Sequence, residues 1–171
     1  VEVIVKQLRK GGTPLTTSCG RVLDAISAIL GVCYERTYEG EPAMKLESAA
    51  VNGRDLLNLQ PKLRGNTLDT TCLASEVLHQ MKLYSVRDLA YSAESYIARG
   101  LAQLAVEEAE RLGVKTVGFS GGVAYNEHIT GEIRRLVEER GFRFFVHRDV
   151  PPGDGGISFG QAVVAALFDA G

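Results

Sequence analysis

The chain of 171 residues contains no tryptophan, two methionines and three cysteines. Cys19, Cys33 and Cys72 are widely spaced and form no CxxC pair, which argues against a disulfide framework and against a structural zinc site. Reduced thiols in a cytosolic protein are the simplest interpretation. No pair of histidines has metal-ligand spacing either, because His79, His128 and His147 are scattered.

Neither sign of charge dominates, since the sequence contains 19 lysines and arginines and 21 acidic residues. The net charge of -2 gives no global attraction to nucleic acid or to acidic membranes. No apolar run has the length of a membrane span, and the first residues lack a signal-peptide pattern. We therefore expect no nucleic-acid partner, no membrane partner and a cytoplasmic location. The opening without methionine suggests a segment of a longer protein.

The remaining composition, 45% hydrophobic and 23% charged, is typical of one soluble domain or lobe. Apolar spacing and capping residues predict helices over 22–30, 42–50, 73–83 and 86–112. The opening 1–8 joins an apolar element, and 52–69 is an extended excursion. The last third predicts strand 115–119, helix 126–140, strand 143–147 and helix 157–168. This alternation favours an α/β fold with parallel pairing between the two strands.

A glycine turn follows the first of these strands, at Ser120-Gly121-Gly122, and leads to Asn126. Glycines let a backbone approach a ligand closely, and a following helix directs amide hydrogens toward phosphate. Asn126 offers both a donor and an acceptor to a nucleotide. The alternative is an ordinary strand-to-helix turn in which Asn126 caps the helix.

A second loop, 151–156, surrounds one carboxylate, Asp154, with prolines and glycines. Hard divalent cations favour carboxylate oxygens, so Asp154 is a candidate metal ligand. Its place just before the last predicted helix equally suits an N-cap.

A third candidate is Asp24, which lies on an otherwise apolar helix. A charge at such a position needs a partner or a ligand, and a carboxylate can accept two ribose hydroxyls. A salt bridge to Arg21, or a solvated edge position, would explain the residue equally well.

The segments 16–25, 38–47, 120–126 and 151–161 occur in the order seen in one family. Together they resemble HypF, the hydrogenase maturation carbamoyltransferases, over almost the whole chain. This part of HypF is similar to the tRNA threonylcarbamoyl-transfer proteins of the Kae1 and TsaD group. The resemblance implies the second lobe of an actin, Hsp70 and sugar-kinase-like fold, with extra helices and a mixed sheet flanked by helices. Residues 1–171 would form the C-terminal lobe of a Kae1-like domain.

The resemblance also implies roles for individual residues. Asp154 would bind a divalent metal, namely iron, zinc or magnesium. The nucleotide-binding residues would be Asp24, Gly40, Glu41, Gly121, Gly122 and Asn126. The reaction implied is carbamoyl transfer: carbamoyl phosphate and ATP give carbamoyl adenylate, and the carbamoyl group passes to the C-terminal cysteine of HypE. The partners implied are HypE and the remaining HypF domains.

Two departures limit these expectations. The paired histidine metal ligands of the family lie upstream of this segment, and Lys45 stands where relatives often carry an acid. We therefore expect the chain alone to be catalytically inactive. Alternatives are a tRNA threonylcarbamoyl-transfer subunit, a non-catalytic nucleotide-binding module, or a sugar or acetate kinase relative.

Overall fold

The computed structural model describes residues 2–13 and 16–169. The helices are α1 (Glu2–Lys10), α2 (Cys19–Ile29), α3 (Glu41–Ala50), α4 (Thr71–Gln80), α5 (Val86–Leu112), α6 (Glu127–Glu139) and α7 (Ile157–Asp169). The strands are β1 (Leu63–Arg64), β2 (Thr67–Leu68), β3 (Thr116–Phe119) and β4 (Arg143–Val146). Short 3₁₀ turns cover Gly122–Tyr125 and Asp154–Gly156.

Helix α5 is the centre of the fold. The Ser85 hydroxyl caps its start by accepting from the Asp88 amide at 3.1 Å, and Gly113 ends it in a left-handed conformation with φ of 68°. Its 27 residues give a length of about 40 Å. Alanines and serines in its middle let α2, α3, α4 and α6 pack closely around it. The predicted face containing Leu89 and Tyr96 is buried, but burial extends around most of the helix.

The hydrophobic core joins α5 to the inner faces of its neighbours. Each neighbour contributes large side chains at helical spacing, and burying such a side chain contributes about 1.5–3 kcal/mol. The fully buried contributors include Leu23, Ile26, Leu46, Leu73, Val77, Ile129, Ile133 and Val137. Residues 52–69 form an extended excursion, as predicted, and include the short β1–β2 hairpin.

The strands form two separate sheets in the described chain. β1 pairs with β2 antiparallel, whereas β3 pairs with β4 parallel, from Thr116 opposite Arg143 to Phe119 opposite Val146. The parallel pairing confirms the prediction for the last third. The α/β class is thus confirmed, although the expected mixed sheet is divided into one antiparallel and one parallel pair.

Helices α1 and α7 lie outside the core. No described residue of either helix is buried, and Val3 and Leu167 are 71% and 72% exposed. Residues 2–8, for which the sequence indicated an apolar element of unspecified type, are helical. Within residues 2–13 and 16–169, no helix is long and apolar enough to cross a membrane.

Candidate functional site

Asp24 is a carboxylate with no protein partner in the described chain. Helix α2 starts where the Ser18 hydroxyl accepts from the Arg21 amide at 3.4 Å, and its buried face carries Leu23 and Ile26. Asp24 sits at the edge of that face and is half-buried. Neither a hydrogen bond nor an ion pair joins its side chain to another described residue, so the alternative pairing with Arg21 does not form.

Gly40 and Glu41 form the start of α3. Gly40 has φ of 78°, a conformation that glycine adopts without strain, and open space lies where a Cβ would be. Glu41 is buried, accepts from the Thr37 amide and, at 3.0 Å, from the Thr37 hydroxyl. Its other oxygen pairs with the Lys45 ammonium at 2.7 Å. Glu41 therefore fixes the loop before α3 by internal contacts.

Lys45 and Thr37 also set the charge state of Glu41. The hydrogen bond from Lys45 is the largest cause, followed by that from the Thr37 amide, and together they lower the pKa of Glu41 to about 2. Glu41 is thus ionised at neutral pH. Lys45, the residue that departs from the family pattern, neutralises it.

The glycine turn after β3 is held against the 151–156 loop. The Gly121 amide donates to the Pro152 carbonyl at 2.7 Å, and the Ser120 hydroxyl donates to the same carbonyl at 3.1 Å. Gly121 has φ of 101°, and open space lies where a Cβ of Gly121 or Gly122 would be. The amides of Gly122 and Val123 have no acceptor within the described chain, so this turn offers backbone donors.

Asn126 lies behind that turn and is 6% exposed. Its Oδ1 accepts from the Ile129 amide at 2.8 Å, so it caps α6, as the alternative interpretation required. Its Nδ2 donates to Glu94 Oε1 at 2.9 Å. The same Glu94 carboxylate accepts from His128 Nδ1 at 3.0 Å.

Two amides in the first turn of α6 already donate to protein acceptors. Glu47 of α3 accepts from the Glu127 amide at 2.7 Å, and Asn126 takes the Ile129 amide. Burial, opposed by the hydrogen bond from the Glu127 amide and reinforced by nearby Glu94, raises the pKa of Glu47. Because these two amides are taken, the donors left for a phosphate in the described chain are the His128 amide of this turn and the amides of the preceding glycine turn.

Asp154 is exposed, at the first position of a 3₁₀ turn. No described residue bonds to its side chain, so the expected alternative of an N-cap does not form. Within the described ranges, no three His, Cys, Asp or Glu side chains gather as a metal site. Asp154 therefore offers a single carboxylate, too few ligands to hold a metal by itself.

Close packing brings several of these elements together. Helix α2 contacts the 3₁₀ turn at 122–125, and a Cβ on Gly153 would lie 2.9 Å from the Tyr125 ring and 3.7 Å from the Gly122 Cα. Helix α2, the glycine turn and the 151–156 loop are thus neighbours. Helix α3, which Gly40 and Glu41 begin, packs on α2.

The sequence did not reveal the polar group behind the turn. Glu94, Ser95, His128 and Glu47 all bond at the start of α6, and Glu94 is fully buried. Only one signal was available, a glutamate inside the small apolar run 90–98 of a long helix. His128, which spacing alone left as an isolated polar residue, belongs to this group.

A separate groove of about 380 Å³ lies between α5, α6 and residues 60–61. Arg99, Gln103, Glu107 and Arg140 are among its lining residues, and none of the predicted site residues borders it. It mixes both charges and contains no convergent polar cluster, so the glycine-turn face remains the candidate site.

A family model described as carbamoyltransferase, Kae1-like domain, second subdomain, matches residues 1–161. The chain belongs to this family. It is 43% identical over 160 residues to a probable carbamoyltransferase HypF of Methanocaldococcus jannaschii, covering 93% of the chain and 21% of that protein. The expected resemblance to HypF is therefore confirmed.

Solved HypF structures have the same fold. The crystal structure of T. kodakarensis HypF matches with a TM-score of 0.88 and 44% identity, over 97% of this chain and 22% of that one. Full-length HypF in a phosphate- and nucleotide-bound form matches with a TM-score of 0.85 and 27% identity, over 99% of this chain and 23% of that one. The chain thus spans about a fifth of the length of these relatives.

Proposed function

We propose that this chain is the second lobe of a Kae1-like carbamoyltransferase domain and forms one wall of its nucleotide cleft. The observation that carries this is Asp24, a half-buried carboxylate without a protein partner, on a helix that contacts the glycine turn. A charge in that position is costly unless something bonds it. Ribose hydroxyls, which a carboxylate accepts in pairs, meet that need.

The other proposed contacts come from the elements that pack on or next to α2. The free amides of Gly122 and Val123, beside Gly121, would donate to phosphate oxygens, and the absent Cβ atoms leave room for a close approach. Gly40 and Glu41 would shape the nucleoside side through the ordered loop before α3. Asn126 would support the phosphate side from behind.

For the complete protein we propose the reaction of the HypF group. Carbamoyl phosphate and ATP would form carbamoyl adenylate in another HypF domain. In the Kae1-like domain the thiolate of the C-terminal cysteine of HypE would then attack the carbamoyl carbon, and the C–O bond to the adenylate phosphate would break with release of AMP, giving a thiocarbamate that is the precursor of the hydrogenase cyanide ligand. In this chain the turn amides would hold the adenylate phosphate and stabilise charge while the thiolate attacks.

Asp154 is proposed as one ligand of a divalent metal. Its exposed, unpartnered carboxylate suits that role, but the described residues supply no further ligands beside it. The remaining ligands would have to come from the missing first lobe. Removing Asp154 should therefore change metal content in the complete protein, as measured by elemental analysis, and should leave the isolated chain unchanged.

Calorimetric titration of Mg·ATP into the chain tests the nucleotide site, and in the complete protein the part of the binding that depends on Asp24 separates this site from the other domain that takes ATP. Asp24→Asn should weaken binding at this site by about tenfold or more without lowering the melting temperature, because no protein contact is lost. Glu110→Gln removes the same charge from an exposed position at the far end of α5 and serves as the control. Equal affinity of the parent and Asp24→Asn would contradict the assignment.

The chain alone should transfer no carbamoyl group, since one wall of a cleft excludes water poorly. Carbamoyl transfer by the purified chain would contradict that expectation. Specific tRNA binding by the complete protein would instead favour the tRNA threonylcarbamoyl-transfer alternative.

A further inference from the structure

Glu94 is a fully buried carboxylate in the middle of the central helix, yet the proposed nucleotide contacts do not use it. Both of its oxygens are bonded: Oε1 accepts from Asn126 Nδ2 at 2.9 Å, and Oε2 from His128 Nδ1 at 3.0 Å. A buried carboxylate is costly without such partners. An ionised carboxylate at this buried position therefore needs both donors, Asn126 and His128, in a specific arrangement.

His128 is itself held on every side. Its Nε2 lies 3.1 Å from the Ser95 hydroxyl, and its ring stacks on Tyr91 with centroids 3.9 Å apart. Ser95 and Tyr91 both belong to α5, as Glu94 does. Three side chains of one rigid helix thus determine where the start of α6 lies.

Asn126 bonds both to this fixed part of the structure and to the glycine turn. One end of its carboxamide caps α6 and the other donates to Glu94, which leaves 6% of the residue exposed. Its own amide donates to the Val123 carbonyl at 3.0 Å, and Val123 follows directly on the glycines. A shift of Asn126 would therefore move the turn whose amides face the proposed phosphate site.

We propose that Glu94 is the positioning residue of the glycine turn, and that Asn126 acts on nucleotide binding through this anchor instead of touching the nucleotide. This proposal rests on the proposed nucleotide site. Glu94 bonds Asn126, Asn126 bonds the turn, and the turn presents the free amides of Gly122 and Val123. His128 holds the second oxygen of Glu94 and so fixes the orientation of the carboxylate.

A charge-matched exchange of the two partners tests the proposal. Asn126→Asp keeps an acceptor for the Ile129 amide but sets two carboxylates against each other. In the double variant Glu94→Gln/Asn126→Asp, the new glutamine amide donates to the new aspartate, and its oxygen still accepts from His128. The total charge of the pair then equals that of the parent.

Mg·ATP affinity by calorimetry and amide hydrogen exchange of residues 120–129 are measured together, in the chain and in the complete protein. Asn126→Asp should weaken affinity by about tenfold or more and accelerate exchange of the turn. The double variant should return both to within about threefold of the parent. Asn126→Ser, which keeps a capping hydroxyl but loses the donor to Glu94, provides a second single variant if Asn126→Asp does not fold.

Restored exchange protection without restored affinity would show that the Asn126 carboxamide itself touches the nucleotide, and would overturn the proposal while leaving the nucleotide site intact. Unchanged affinity and exchange in the single variants, or no rescue of exchange in the double variant, would also overturn it. Absence of any Mg·ATP binding that depends on Asp24, in the chain and in the complete protein, would instead refute the proposed function, and with it the nucleotide role of Glu94.

Discussion

Removing the hydroxyl of Tyr96 should destabilise the chain, because several hydrogen bonds meet at this one oxygen. Tyr96 is fully buried on α5, and its hydroxyl donates to the Asp69 carbonyl at 2.7 Å and accepts from the Lys62 amide at 3.1 Å. It also lies 3.1 Å from the Cys72 sulfur. These contacts fasten the β1–β2 hairpin and the start of α4 to the central helix.

The cost of Tyr96→Phe follows from what each partner loses. The Asp69 carbonyl keeps a contact from the Cys72 thiol at 3.2 Å, whereas the Lys62 amide has no other acceptor in the described chain. A net hydrogen bond contributes about 1 kcal/mol, and a part-buried donor left without an acceptor costs about 1–2 kcal/mol, the lower part of the range for buried donors. We therefore expect a loss of about 2–3 kcal/mol, or about 4–12 °C in melting temperature for a chain of this size.

Urea unfolding followed by circular dichroism measures this difference. Tyr91→Phe is the matched control, because it removes the same atom from the same helix and the Tyr91 hydroxyl has no bonding partner in the described chain. The control should lie within about 0.5 kcal/mol of the parent. Equal stability of Tyr96→Phe and Tyr91→Phe would refute the reasoning.

Three further predictions concern the site and its surroundings. Burial raises the pKa of Glu47 in the folded state. Protonated Glu47 therefore stabilises the fold at pH values below the ordinary glutamate pKa, and this stabilisation is lost as the pH rises through the raised pKa of the folded state. Glu47→Gln should gain stability relative to the parent as the pH rises above the ordinary glutamate pKa, and a stability difference that stays constant with pH would contradict this. Burial raises the pKa of the Cys19 thiol to about 11, so little reactive thiolate is present at pH 8.5. Iodoacetamide at that pH should therefore modify Cys19 in the folded chain at least roughly tenfold more slowly than in urea, as followed by mass spectrometry, and equal rates would contradict this. Gly156→Ala would place a Cβ 2.3 Å from the Pro151 carbonyl and should lower the free energy of unfolding by about 1–3 kcal/mol. In Gly155→Ala the added Cβ has no neighbour closer than 3.4 Å, so this control should be nearly neutral, and equal melting temperatures of the two variants would refute the clash.

Elements with strong end signals could be predicted from the sequence. The predicted helix 86–112 coincides with α5, because Ser85 and Gly113 mark its ends chemically. Strands β3 and β4 and helix α6 were predicted to within about two residues for the same reason. The helix predicted over 73–83 instead covers Thr71–Gln80: the flanking Thr70 makes no side-chain cap, and the first amide, that of Thr71, donates to the Asp69 carboxylate at 2.9 Å.

The site was less accessible to sequence reasoning, because its contacts join residues far apart in the chain. Asn126 and Glu94 are 32 positions apart, and Glu127 and Glu47 are 80 apart. No local spacing encodes such pairs. Local sequence reasoning supplied Asp24 and Asp154 as candidates and the family resemblance implied their roles; the structure adds that neither has a protein partner in the described chain. Their ligand roles remain predictions.

One turn of α5 ties together segments that are distant in sequence. Ser92 accepts from the Leu56 amide, Glu94 and Ser95 hold His128, and Tyr96 holds the Asp69 carbonyl. If the β1–β2 hairpin moved relative to the glycine turn, hydrogen bonds on both sides of this turn of α5 would break. We therefore expect the helices packed around α5 to move as one rigid body, so that any opening or closing of a cleft would take place outside this group and not within it.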